Sequence, residues 1–163
     1  MTDRMKRAMA RNVLVAALAP VLTLSACSSP SYDPLASRLG ELDHVVGSYI
    51  WDSTSGLPTN RSLSVRLYVD GDLAEDDLGA LLDSAFREAW EGSPFEPVAG
   101  IAVQVAVGER PQEPSAAPVH GMLDLRTAMG GIDWSTKQGT SSGGTTAIAG
   151  ADALADRYGA WGS

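Results

Sequence analysis

Two segments of strict apolar alternation, separated by one stretch of helical periodicity, constrain this chain more than any other feature. From Ser62 to Val69, the residues Leu63, Val65, Leu67 and Val69 fall on one side and Ser62, Ser64, Arg66 and Tyr68 on the other. From Ile101 to Val107, the residues Ile101, Val103, Val105 and Val107 oppose Ala102, Gln104 and Ala106. Successive strand side chains point to opposite faces, so each segment predicts a half-buried strand. Between them Leu78, Leu81, Leu82, Ala85, Phe86, Ala89 and Trp90 recur at helical spacing, and Gly92 and Pro94 end the run. Burying each large side chain contributes about 1.5–3 kcal/mol, which cannot offset ~1–2 kcal/mol of backbone entropy for every residue ordered. The helix therefore needs a sheet to lie on.

The flanking segments extend this unit. Val45–Trp51 is rich in β-branched and aromatic residues and predicts a strand, joined to the next by the turn-rich stretch Asp52–Pro58 as a hairpin. Asp33-Pro34 reads as an N-cap and first helical position, opening a short helix with Leu35, Leu39 and Leu42 on one stripe. After a loop carrying Pro111, Pro114 and Pro118, Met122–Leu125 predicts a short fourth strand, and Arg126–Met129 a helical turn ended by Gly130-Gly131. The expected class is α+β: a small two-layer sandwich with a mainly antiparallel sheet of about four strands, covered by one long helix, with a short N-terminal helix. A split βαβ arrangement is compatible with this order. Residues 135–144 collapse to Ser, Thr, Gly, Lys and Gln and read as a linker. Beyond them Ala151, Leu154, Ala155 and Tyr158 outline a short helix that either docks on the domain or begins a second unit.

The first residues carry an address. Arg4, Lys6, Arg7 and Arg11 precede an uncharged run from Val13 to Leu24, followed by the small residues Ser25 and Ala26, the pattern of an export signal. The run is too short for a helix of roughly 20 residues across the hydrocarbon core, and Pro20 interrupts it. Leu24-Ser25-Ala26-Cys27 resembles the lipobox of bacterial lipoproteins. That resemblance implies removal of residues 1–26, diacylglyceryl attachment to the Cys27 sulfur, palmitate-type acyl chains, and anchoring on the outer side of the cytoplasmic membrane. The expected division is a signal peptide over 1–26, a lipidated tether over 27–33, an α+β domain over 34–134 and a linker with a helical tail over 135–163. Two acyl chains hold a protein stably where one gives only marginal binding. Cys27 is the only cysteine, so no intramolecular disulfide can form.

Removing residues 1–26 takes away four of 12 basic and one of 20 acidic residues, leaving a net charge of −11. Such a surface disfavours nucleic acid and anionic headgroups as partners, so the bilayer is expected to be engaged through lipid. The remaining 137 residues suit one domain with a single modest core.

The chemical motifs favour no reaction. Gly139-Thr140-Ser141-Ser142-Gly143 matches a nucleophile elbow in letters, but its serine needs a strained turn after a buried strand, and none is predicted there. Asp70, Asp72, Glu75, Asp76 and Asp77 break the calcium-loop pattern at Gly71 and Leu73, whereas Asp72 as N-cap with Glu75 three residues on gives capping-box spacing. His44 and His120 lack metal-ligand spacing, and Trp51, Tyr68 and Trp90 fit packing better than a ligand groove. No catalytic residue, metal or cofactor is expected. The chain reads as a membrane-anchored, non-catalytic binding module of the cell envelope, with an envelope protein as a partner of unknown identity. The alternative is a small envelope enzyme or accessory factor using Asp43, Asp52 and Asp124. Arg66 and Tyr68, on the outer side of a sheet expected to face solvent, are the candidate interaction residues.

Overall fold

The structure is a computed structural model that describes residues 31–134 and 139–163. The expected signal peptide over 1–26, the expected lipobox and Cys27 lie outside the described residues. The element order is α1 (Asp33–Gly40), β1 (Val45–Thr54), β2 (Arg61–Val69), α2 (Glu75–Gly92), β3 (Ile101–Val107), α3 (Arg126–Gly131), β4 (Thr140–Ser142), β5 (Ala147–Ala149) and α4 (Ala151–Tyr158). The five strands form one sheet in the order β1-β2-β3-β5-β4.

The α+β class and the three long elements stand as expected. Strands β1 and β2 form an antiparallel hairpin in which Ile50 opposes Val65 and Thr54 opposes Arg61. Strands β2 and β3 are parallel neighbours, Leu63 beside Ile101 and Val69 beside Val107, so α2 is the crossover of a plain βαβ unit rather than a split one. The other pairings, β3 with β5 and β5 with β4, are antiparallel. The alternation decides which face is inside. Leu63, Val65, Leu67, Val69, Ile101, Val103 and Val105 are fully buried against Leu82, Ala85, Phe86, Ala89 and Trp90 of α2. Leu35 and Leu39 of α1 join the same core.

Two helix starts differ from expectation. Tyr32 caps α1, and Asp33 is its first residue, its carboxylate accepting a hydrogen bond from Ser31 Oγ at 3.0 Å. Ala74 occupies the N-cap of α2 with no side-chain cap, because Asp72 lies two residues too early to reach the orphan amides. The backbone N–H of exposed Asp72 instead donates to Asp70 Oδ1 at 3.1 Å. Asp72→Ala is accordingly expected to shift stability by no more than ~0.5 kcal/mol, the ordinary surface range, in a urea titration. A loss above 1 kcal/mol would restore a capping role.

From residue 139 onward the described chain belongs to the domain instead of forming a linker, and the short C-terminal helix docks on it. Strand β5 adds to β3, with Ala149 beside Ile101 and Ala147 beside Val103, and both alanines are fully buried. Gly100 permits this junction. It sits at φ +93°, and a Cβ there would come 2.5 Å from the Ala149 carbonyl oxygen. Helix α4 buries Ala153 and Leu154 in the common core. Its C-terminal end is fastened to α2: Trp90 Nε1 donates to the Gly159 carbonyl at 2.9 Å, Arg157 Nε pairs with Asp83 at 2.6 Å, and Tyr158 Oη donates to the same carboxylate at 2.7 Å. Burial opposes ionisation of Asp83, but the bonds from Arg157 and Tyr158 outweigh it and hold the carboxyl below its usual range.

Met122–Leu125 does not form the expected strand. Met122 makes a single bridge to Ala106, and Leu123 N–H donates to the Val105 carbonyl at 2.9 Å. The second edge of β3 is thus shared between the β5 strand near its start and residues 121–123 near its end.

The outer face of the sheet is closed around Arg66, Tyr68 and Ala106, while Ser62, Ser64 and Ala102 toward its other end stay part-exposed. Arg66 is 0% and Tyr68 2% exposed, so the expectation of a solvated face with these two at its centre is wrong. The proline-containing segment 108–121 crosses this face. Arg66 Nε and Nη2 donate to Gln104 Oε1 at 2.9 and 2.8 Å, and Nη1 and Nη2 donate to the carbonyls of Ser115 and Ala116 at 3.0 and 3.3 Å. The Arg66 guanidinium also lies 5.5 Å from the Trp51 ring centre. Gln104 in turn donates to Thr146 Oγ1 at 3.0 Å, linking the crossing segment, the sheet and the approach to β5. Gly47 opposes Tyr68 in the hairpin, and a Cβ on Gly47 would approach Arg110 Cβ to 2.9 Å. A side chain at position 47 would therefore lift the segment off the sheet.

Candidate functional site

The two ends of the sheet differ in chemistry. At one end, the start of α1, the finish of β1 and the start of β2 meet. Tyr32 Oη donates to Asp52 Oδ1, Arg61 Nη2 pairs with Asp52 Oδ2 at 2.8 Å, and the Arg61 guanidinium lies 3.6 Å over the Phe95 ring. Burial pushes the Tyr32 phenol up to about 12, with the bond to Asp52 adding to it, and that bond holds the Asp52 carboxyl below its usual range. This cluster fastens Tyr32, at the start of the described chain, to the hairpin. We call this end the base.

The opposite end holds a cleft of about 460 Å³ between the α1–β1 turn and the first half of α2. Strand β2, nine residues long, separates the two ends by about 25 Å at ~3.3 Å per residue. Leu42, Leu73, Ala80 and Leu81 supply an apolar floor, while Glu41, Asp43 and Asp77 place exposed carboxylates around it. Nothing in the cleft is cationic unless His44 is protonated.

His44 is the distinctive residue here. It has φ +65°, the one non-glycine residue in the left-handed region among the described residues, a conformation that costs about 1 kcal/mol or more. Two bonds to one partner hold it there. The Asp70 backbone N–H donates to the His44 carbonyl at 3.0 Å, and His44 Nδ1 lies 3.1 Å from Asp70 Oδ1. A carboxylate can only accept, so Nδ1 is the donor in this contact. The left-handed turn thereby aims an imidazole into the cleft wall at the point where β1 begins.

The residues singled out in the sequence do not converge on this cleft. Asp43 lines it, Asp52 belongs to the base, and exposed Asp124 pairs with Arg126 at 2.9 Å. Ser84 also lines the cleft, but its hydroxyl makes no hydrogen bond to His44, so no serine–histidine relay is assembled. Ser141 lies exposed on β4, the edge strand, in a setting unlike a nucleophile elbow. Trp90 packs beneath the Gly159 carbonyl. Trp51 stacks on Tyr49, ring centres 5.1 Å apart. Among the described residues, no group of three or more His, Cys, Asp or Glu side chains could hold a metal ion. No helix among them is long and apolar enough to cross a membrane.

The cleft was missed because its parts come from segments that look unrelated in the sequence: a turn at 41–44, a loop at 73 and one face of a helix at 77–84. The available signal was the pair Glu41 and Asp43 just before His44 together with the acidic cluster at 70–77, the latter assigned by spacing to helix capping.

No family model matches this chain, and neither a curated protein nor a solved structure resembles it closely enough to place it in a family.

Proposed function

We propose that the protein is a lipid-anchored, non-catalytic binding module of the bacterial cell envelope, held to the membrane through Cys27 and engaging a cationic partner through the acidic cleft. The observation that carries this reading is the placement of the two ends. Residue 27 is only five residues from Tyr32, which is fastened to the base, and the cleft lies at the far end of β2. An anchor at the base leaves the cleft pointing away from the lipid. An apolar floor beneath carboxylates suits a lysine or arginine side chain, whose methylene stem takes the floor while its charge meets the rim.

The test has two arms. Cys27→Ser is expected to abolish lipid labelling and to move the protein from the membrane fraction to soluble or unprocessed forms; normal processing and retention would end the lipoprotein reading. Asp43→Lys with Asp77→Lys is expected to weaken binding of a short oligolysine peptide about tenfold at low salt, equivalent to ~1.4 kcal/mol from a few partly exposed charge pairs. Unchanged peptide binding would remove the cleft from the proposal and leave the anchor standing.

A further inference from the structure

We infer that the base of the domain rests on the bilayer, with the β1–β2 hairpin tip inserted at the lipid surface, so that the anchored protein stands in one orientation. This inference rests on the lipid-anchor reading proposed above.

The reach of the tether limits the distance. From Cys27 to Tyr32 is five residues, at most about 18 Å fully extended. Tyr32 is not free to swing, because its side chain is tied to Asp52 on β1. The hairpin continues past Asp52 through the Ser53–Ser62 and Thr54–Arg61 pairs into the turn 55–60. The turn therefore projects from the end of the molecule that the tether leaves.

The chemistry of that turn is suited to lipid. In a chain with a mature net charge of −11, residues 53–60 (Ser53, Thr54, Ser55, Gly56, Leu57, Pro58, Thr59 and Asn60) carry no charge at all. Leu57 at the tip is 71% exposed, the most exposed large apolar residue described, and Val98 of the neighbouring loop is 44% exposed. That loop belongs to the same end, since Ala99 N–H donates to the Arg61 carbonyl at 2.9 Å. The turn also satisfies its own backbone. Ser55 N–H donates to the Asn60 carbonyl at 3.0 Å, Asn60 N–H to the Leu57 carbonyl at 2.9 Å, and Asn60 Nδ2 to the Ser55 carbonyl at 2.9 Å. Backbone groups that enter an apolar interface must be paired internally, and here several are. One leucine cannot hold a protein on a membrane, but beside a covalent anchor it can set the tilt.

The experiment uses the full chain, lipidated, purified from membranes and reconstituted into vesicles of zwitterionic phosphatidylcholine. The Cys27 sulfur is occupied by its lipid, so Leu57→Cys, Val98→Cys or, at the far end, Asp72→Cys each provides a single thiol for an environment-sensitive fluorophore. Vesicles carrying brominated acyl chains should quench the probe at 57 severalfold more than the probe at 72, with 98 between them. Equal quenching at 57 and 72 in protein that floats with the vesicles would overturn the seated base while leaving the anchor intact. Protein that fails to float would overturn both.

Discussion

Removal of residues 135–163 is expected to abolish cooperative folding. Without them Ile101 and Val103 lose their neighbours in β5, and the core loses Ala147, Ala149, Ala153 and Leu154, all essentially fully buried. Trp90 Nε1–H loses its acceptor, and Asp83 loses both Arg157 and Tyr158. Burying one leucine contributes about 1.5–3 kcal/mol and an orphaned buried polar group costs about 1–3 kcal/mol. Together these come to about 2.5–6 kcal/mol before the three alanines are counted, which overlaps the lower end of the 5–15 kcal/mol that a small domain has in total. The truncated protein should lose its near-ultraviolet circular dichroism and its sharp thermal transition. A cooperative melt within a few degrees of the intact chain would show that the tail is an appendage after all.

Arg66→Ala is the second large effect, expected to cost about 3 kcal/mol or more. Its guanidinium is permanently charged and fully buried, and every acceptor around it is neutral: one side-chain amide and two backbone carbonyls. The donor side is what makes segment 108–121 adhere to the sheet. Truncation leaves the Gln104 oxygen and the Ser115 and Ala116 carbonyls to find water, which they can do only if the segment lifts. Amide hydrogen exchange should therefore accelerate across 108–121 while the amides of α2 stay protected. Unchanged exchange in that segment, with stability within 1 kcal/mol of wild type, would mean that Arg66 does not fasten it. Tyr68 shares this covered face, 2% exposed, and its hydroxyl has no hydrogen-bond partner among the described residues.

Legibility varied from element to element for identifiable reasons. Strands β2 and β3 and helix α2 declared themselves because each must divide its side chains between a core and another surface, and that division writes a period into the residues. Strand β5 wrote no such period. Three residues, Ala147-Ile148-Ala149, are too few to show alternation, and the two that are buried are alanines, which carry little hydrophobic signal. Its clue was Gly100 on the partner side, where close approach of the Ala149 carbonyl excludes a Cβ, and a lone glycine between strands reads only as a turn.

The outer face was misjudged for a related reason. Ser62, Ser64, Arg66 and Tyr68 are residues that water accepts, so the alternation predicted solvent on that side. The arginine is instead consumed by carbonyls brought from 49 and 50 residues away. A polar side chain satisfied by water and one satisfied by a distant backbone are the same letter in the sequence.

What the residues by themselves determined, then, is the α+β class, the inner face of the sheet and the two long elements joined by α2, because these depend on local periodicity within a few positions. Tertiary structure alone decided that β2 and β3 run side by side in parallel, that segment 108–121 covers the second face around Arg66, that residues after 138 complete the sheet, and that Glu41, Asp43, His44 and Asp77 share one cleft. Each of these depends on contacts between segments far apart in the chain. The free energy of such contacts comes from joint burial and mutual hydrogen bonding, which no single segment carries on its own.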